Sequence, residues 1–282
     1  MVAAFFDLDK TVIAKASLVA FGGPLRRAGL LSRWLLLRAL CGQLVYLWLG
    51  ADEARLVRLR RAALALTKGW DQAHLQAIVA ETLEQVVEPI VYDEALQLLR
   101  RHRSTGDLVV IISASPEEIV APLSAYLGAD AFVASRARLD EAGRYSGELE
   151  HYCYGPAKAD AMRAMAADRG LDLAASWAYS DSITDLPMLE AVGHPVVVNP
   201  DRALLRVART RKWPVRRFVR PVPLRDRVIM PRPGSRTAAG SSVAVVAAGI
   251  VAWWWLRREV RLAGAGGFRT RGACGRRPCR ER

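Results

Sequence analysis

Asp7 and Asp9 follow the apolar run 2–6 and stand one residue apart, with Thr11 two residues further on. Carboxylates that close repel, each raising the cost of ionising the other, and a cation is the simplest remedy. In an extended chain Asp7, Asp9 and Thr11 share parity and start on one side, around one small volume. There one carboxylate can act as nucleophile and the other as proton donor to a leaving oxygen, provided their surroundings separate their proton affinities. A solvated Asp-x-Asp turn at the end of a strand uses the same residues.

Three more groups carry chemistry. Asp181 and Asp185 follow the apolar run 177–179 at an i,i+4 spacing. They would repel on one helix face unless a hard, oxygen-preferring cation lies near them; Asp185 as the cap of the helix containing Pro187 is the plainer alternative. Ser113 ends the apolar run 108–112, where its hydroxyl and the N–H groups of a following helix can bind phosphate oxygens. As a helix cap, Ser115 is the more natural of the two serines. Lys158 can neutralise phosphate and carboxylate charge as a point cation, or stand on the surface like most lysines.

Strands must bring these groups together. The runs 2–6, 108–112, 177–179 and 196–198 are short and apolar, as in fully buried parallel strands, and each leads into polar residues and then a helical pattern. A further strand is expected at 129–133, and 139–149 carries Ala142-Gly143, a hairpin turn. Asp52 can cap a helix ending at Gly69, and Asp71 one that stops before Pro89. Others should run from Asp93 to Gly106, from Pro116 onward, from Lys158 to about Arg169, and behind Asp201. Strands alternating with helices argue for an α/β fold, a doubly wound parallel sheet that binds ligands at the carboxyl ends of its strands.

Residues 18–92 read as a helical insert between the first strand and the rest. Its stretch 30–49 is apolar but holds Arg33 and Arg38. Each arginine costs roughly 2.5–3.5 kcal/mol at the centre of a membrane helix, which favours a buried cap helix over a span; a lipid-facing cap is the alternative.

With 282 residues and 52% hydrophobic content the chain has ample material for a core. The net charge of +13 is unevenly placed: residues 1–200 carry 20 Lys+Arg against 24 Asp+Glu, and 201–282 carry 21 against 4. An anionic partner therefore belongs to the C-terminal part. Nucleic acid is not expected as that partner, and salt-dependent binding would separate it from anionic lipid. Cys41, Cys153, Cys274 and Cys279 show no disulfide spacing, and the N-terminus enters a strand without a leader pattern, so a cytoplasmic, reduced catalytic body is expected. His74, His102, His151 and His194 are scattered, which argues against zinc.

Beyond the core, 216–237 reads as an Arg/Pro-rich linker. Residues 238–256 form a 19-residue uncharged segment ending near Trp253-Trp254-Trp255. That is close to the roughly 20 residues a membrane helix needs, so attachment to a membrane is expected there. The basic tail 257–282 reads as disordered, with Cys274 and Cys279 as palmitoylation or redox candidates.

Asp-Leu-Asp-Lys-Thr (7–11), Ile-Ile-Ser-Ala-Ser-Pro-Glu (111–117), Gly-Pro-Ala-Lys (155–158) and Tyr-Ser-Asp-Ser-Ile-Thr-Asp-Leu-Pro-Met-Leu (179–189) together resemble the haloacid dehalogenase superfamily. The likeness is to its phosphoserine-phosphatase-like IB branch and covers about 2–215. It implies a Rossmann-like core, 1–17 and 93–215, with a helical cap, 18–92, inserted after the first motif. It further implies a phosphomonoester hydrolase in which Asp7 attacks phosphorus and becomes an aspartyl phosphate. Asp9 would protonate the leaving alcohol and later activate water, and Thr11, Ser113 and Lys158 would bind the phosphoryl oxygens. The resemblance also implies Mg²⁺, held by Asp7, the Asp9 main-chain carbonyl and Asp181 with support from Asp185. True phosphoserine phosphatases carry a glutamate nine residues after the nucleophile that recognises the substrate's ammonium group; here that position is Ala16, beside Lys15. The substrate is accordingly expected among small phosphorylated metabolites or lipid phosphates. A membrane-anchored regulatory protein that binds phosphate ligands without significant turnover is the alternative.

Overall fold

The protein is described here by a computed structural model covering residues 1–31 and 64–219. The expectations placed on 32–63 and 220–282 lie outside the described residues: the bulk of the apolar cap stretch, Asp52, most of the linker, the segment 238–256, the tail, and Cys41, Cys274 and Cys279.

Strand β1 (Ala3–Asp7) is buried along its whole length. It stands in the middle of a seven-stranded sheet with β2 (Leu108–Pro116), β3 (Ala131–Leu139), β4 (Tyr145–His151), β5 (Trp177–Ser180), β6 (His194–Val198) and β7 (Val215–Arg216), in the order β4-β3-β2-β1-β5-β6-β7. All neighbours run parallel except β3 and β4, an antiparallel pair. Asp140 holds the turn between these two by accepting the N–H groups of Ala142 and Arg144, and Gly143 there has φ +71°, open to glycine at no steric cost.

Because successive side chains of a strand point to opposite faces, β1 feeds two cores. Ala4 and Phe6 join Val109, Ile111, Tyr179 and Val196 on one face, and Ala3 and Phe5 join Val110, Ile112, Ala178 and Val197 on the other. Helices α1 (Ser17–Arg27), α2 (Gln72–Val87), α3 (Asp93–Ser104) and α4 (Glu117–Leu127) cover the first face with Phe21, Ile78, Leu99 and Leu123. Helices α5 (Pro156–Arg169), α6 (Leu186–Glu190) and α7 (Arg202–Thr210) cover the second with Met162, Met188 and Leu204. Full burial of each such side chain contributes about 1.5–3 kcal/mol.

From β1 the chain moves outward through β2, β3 and β4, then crosses back to β5 on the other side of β1. The order reverses between β1 and β5, and in such sheets the crevice outside the carboxyl ends at that reversal is where ligands bind. Asp7 ends β1 and Ser180 ends β5.

Some boundaries differ from expectation. The strand expected at 129–133 runs instead from Ala131 to Leu139, since its second half pairs with β4. The helix from Asp93 stops at Ser104 rather than Gly106. Pro116 closes β2 and precedes α4 instead of opening it. Asp71 does cap α2, accepting the His74 N–H at 2.9 Å. Packing continues past 215: Phe218 is only 5% exposed, and Asn199 fixes it by donating to the Phe218 carbonyl and accepting its N–H, both at 3.1 Å. Among the described residues no helix is long and apolar enough to cross a membrane.

Candidate active site

Asp7 shares a face with Ala3 and Phe5, the face on which α5 lies, and this parity aims its carboxylate at Lys158 in the first turn of α5. Lys158 Nζ donates to Asp7 Oδ1 at 2.6 Å and to Asp185 Oδ2 at 2.8 Å. Ser180, on the same face as Ala178, donates its hydroxyl to Asp185 Oδ2 at 2.7 Å. The three charged groups are buried, Lys158 being 3% exposed. Lys158 is therefore no surface lysine. Asp185 precedes α6 but makes no capping hydrogen bond, so the plain reading of Asp185 as a cap fails as well.

Asp9 does not continue the line of Asp7. The strand ends at Asp7, Lys10 has φ +64°, and the N–H groups of Val12 and Ile13 turn back to the Leu8 carbonyl at 3.0 and 3.1 Å. The shared parity of Asp7, Asp9 and Thr11 thus lapses with the strand. Asp9 Oδ1 accepts the Ser17 N–H at 2.7 Å and Oδ2 the Ser115 hydroxyl at 2.8 Å, while the Ser17 hydroxyl donates to Ser115 Oγ at 2.7 Å. Ser115 is accordingly a partner of Asp9 and not a helix cap. Ser113, almost fully buried, accepts the Ser115 N–H at 3.1 Å. The Thr11 hydroxyl is buried without a hydrogen-bond partner, an arrangement that costs free energy unless a ligand supplies the partner.

Asp181 and Asp185 do not share a helix face. Ser182 interrupts with extended backbone, a 3-10 turn covers Ile183–Asp185, and α6 begins only at Leu186. Asp201 braces this turn: its N–H donates to the Asp181 carbonyl at 2.8 Å, and its carboxylate accepts the N–H groups of Ile183 and Leu204, each at 2.8 Å.

Four carboxylates, of Asp7, Asp9, Asp181 and Asp185, thus interact around one buried ammonium. Burial pushes the Asp7 carboxyl well above its usual range; Lys158 opposes this, and Asp185, Asp181 and Asp9 add to it. Burial works against the charge of Lys158, but Asp7 and Asp185 outweigh it and hold the ammonium well above its ordinary value. Asp181 is pushed up to about 7, chiefly by burial, with Lys10 opposing and Asp185 adding. The excess of buried negative charge and the all-oxygen donor set fit a hard divalent cation. Among the described residues no three His, Cys, Asp or Glu side chains form a metal-holding group. The fit is to an ion that takes two carboxylates and a main-chain oxygen and keeps several waters, as Mg²⁺ does.

Ser17, Ser180 and Asp201 join the site beyond the residues to which the sequence motifs assign a role. Ser180 was legible from parity with Ala178, and Asp201 as the N-cap of α7. Nothing in the sequence pairs Ser17 with Asp9 or Ser115, because that contact depends on how α1 leaves the β1 turn.

A family model described as haloacid dehalogenase-like hydrolase matches residues 4–190. A Streptomyces azureus protein named "Inhibition of morphological differentiation protein" is 46% identical over 91% of this chain and 94% of its own length. A Mycobacterium tuberculosis protein named "Probable phosphatase" is 48% identical over 91% of this chain and 89% of its own, and one named phosphoserine phosphatase from the same species is 34% identical over 87% and 80%. Among solved structures, a Bordetella pertussis protein of unknown function superposes with a TM-score of 0.67 and 27% identity, covering 76% of this chain and 97% of that one.

Proposed function

The chain belongs to the haloacid dehalogenase-like hydrolases and is a phosphatase related to the phosphoserine phosphatases, and from that premise we propose that it hydrolyses a phosphomonoester through an aspartyl-phosphate intermediate, with Mg²⁺ as cofactor. One observation carries the reading: the buried Lys158 ammonium joins Asp7 at the end of β1 to Asp185 beyond the end of β5, at the reversal of strand order.

In this reading the Asp7 oxygen not engaged by Lys158 attacks phosphorus, and the bond from phosphorus to the ester oxygen breaks. Asp9, held by Ser17 and Ser115, gives its proton to the departing alcohol. It then takes a proton from the water that attacks the aspartyl phosphate, releasing phosphate and restoring Asp7. Lys158, Ser113 and the unpartnered hydroxyl of Thr11 hold phosphoryl oxygens, positioning and neutralisation being most of what phosphoryl transfer asks of a protein. Mg²⁺, on Asp7, Asp181 and the Asp9 main-chain carbonyl with Asp185 in support, would supply the charge that lets a phosphate dianion approach four carboxylates.

In the same reading, 1–17 and 93–215 are the catalytic core and 18–92 the cap that selects the substrate, a small phosphorylated metabolite or a lipid phosphate. Leu18 and Val19, 51% and 59% exposed and next to Ser17, favour an alcohol with apolar character. A cytoplasmic catalytic body attached through 238–256 goes with a lipid substrate. A carbonate-washed membrane fraction free of the full chain would remove that attachment.

Full-length protein with Mg²⁺ should hydrolyse an aryl phosphate, and Asp7→Asn should lower kcat by about 10⁴-fold or more; full activity in that variant would overturn the mechanism. The name of the Streptomyces relative favours a second reading, a regulatory protein that retains phosphate ligands without turnover. Beryllofluoride binding with no hydrolysis across a broad ester panel would select it.

A further inference from the structure

On the face of the sheet opposite Asp7, a groove of about 460 Å³ lies between α3 and the segment after β7, lined by Glu94, Gln97, Leu98, Arg101, Arg216 and Phe218 together with Arg217. The catalytic reading uses none of these residues. Its location follows from register. Val198 pairs with Arg216 across β6 and β7, and Val198 belongs to the core beneath α1–α4, so Arg216 projects on the α3 side. Glu94, Gln97, Leu98 and Arg101 recur at the three- and four-residue spacing that makes one stripe of a helix, and that stripe of α3 faces the groove. Phe218 closes one end, seated against Tyr92 at 5.9 Å between ring centroids and fixed by Asn199.

We propose that this groove is a second ligand site, which binds a small phosphate-bearing anion between Arg101, Arg216 and Arg217.

Three arginines line one concavity, and among the described residues none of them pairs with an acidic side chain. The one acid in the lining, Glu94, accepts the Val219 N–H and lies seven residues from Arg101, about 10 Å along the helix axis. The arginines also act on a common point: Arg216 and Arg101 both pull down the pKa of the Tyr179 hydroxyl against its burial, which sets their positive fields over the same part of β5. Planar guanidinium forks match phosphate oxygens in pairs, the apolar floor of Leu98 and Phe218 suits a ring or short chain, and the volume is that of a small-molecule site.

The test is calorimetric titration of inorganic pyrophosphate, AMP and citrate into the full-length protein at fixed ionic strength, with the active site first saturated by beryllofluoride. Saturable binding of pyrophosphate or AMP, at least tenfold weaker in the Arg101→Gln/Arg216→Gln double variant, is the expected result. Arg138→Gln/Arg163→Gln removes the same charge elsewhere on the surface and should leave it unchanged. Equal loss in that control, or absence of saturable binding, would overturn the site; citrate binding as tightly as the phosphate compounds would overturn its assignment to phosphate. Arg101 and Arg216 are exposed, so their replacement tests binding and not folding.

Discussion

Adjacent residues on β1 and β5 build two opposite environments. Phe6 and Tyr179 point to one face, stacked at 4.4 Å between centroids, and Asp7 and Ser180 point to the other. On the aromatic face every polar atom of the central group has a partner: His102 Nε2 meets the Tyr179 hydroxyl at 2.8 Å and Nδ1 meets Asp107 at 2.7 Å. Burial pushes the Tyr179 hydroxyl up to about 12, so it stays a donor. On the acidic face the one buried ammonium bonds Asp7 and Asp185, with Asp181 and Asp9 adding negative charge nearby, and beyond β1 the Thr11 hydroxyl is buried without a hydrogen-bond partner. A satisfied network holds a fold together. An unbalanced one at the carboxyl ends of the strands is a site awaiting charge and hydrogen-bond partners, and the two lie one residue apart because a strand separates its faces at every step.

That contrast can be broken from either side. Lys158→Met should do so most severely, leaving Asp7 and Asp185 buried without their cation. Loss of one partner of a buried pair costs about 3–5 kcal/mol, read as a lowered urea midpoint with phosphatase activity abolished. The next effect is one of pH. Folded, Asp181 holds its proton up to about 7, whereas unfolded it releases it near 4, so between these values the folded chain binds more protons. Stability of the metal-free protein should therefore fall as pH rises across that window, and saturating Mg²⁺ should flatten the slope. A slope unchanged by Mg²⁺ would show that Asp181 does not meet the ion.

On the aromatic side Tyr179→Phe strands His102 Nε2 and should cost about 1–3 kcal/mol in chemical denaturation with kcat/KM largely kept. A large loss of activity would mean that the two faces are not separable. The smallest stability change is expected from Thr11→Val. Removing a buried hydroxyl that lacks a partner should leave stability unchanged or raise it by up to about 1 kcal/mol, while KM for the phosphate ester rises. Opposite signs for stability and substrate affinity distinguish a ligand group from a structural one.

Much of this arrangement was legible in the chain itself. Short apolar runs ending in polar residues, alternating with helix patterns, are a local consequence of burial on both faces, so the α/β class, the burial of the strand before Asp7, and the cap at Asp71 follow from composition and periodicity. The candidate groups could be named from the same pattern, since Asp7 ends β1, Lys158 lies in the first turn of α5 and Asp181 follows β5, though Ser113 falls inside β2 and not at its end. Pairings were not legible. Parity suggested that Asp7 and Asp9 face one volume, yet the positive φ of Lys10 sends Asp9 toward Ser17 and Ser115, and the i,i+4 spacing of Asp181 and Asp185 came to nothing once Ser182 interrupted the helix. Sequence determines which side chains are available and to which face of a regular element they point. Only tertiary structure decides which partner each meets, because the turns after β1 and β5 have no period to read and Lys158 reaches Asp7 across a sequence separation of 151.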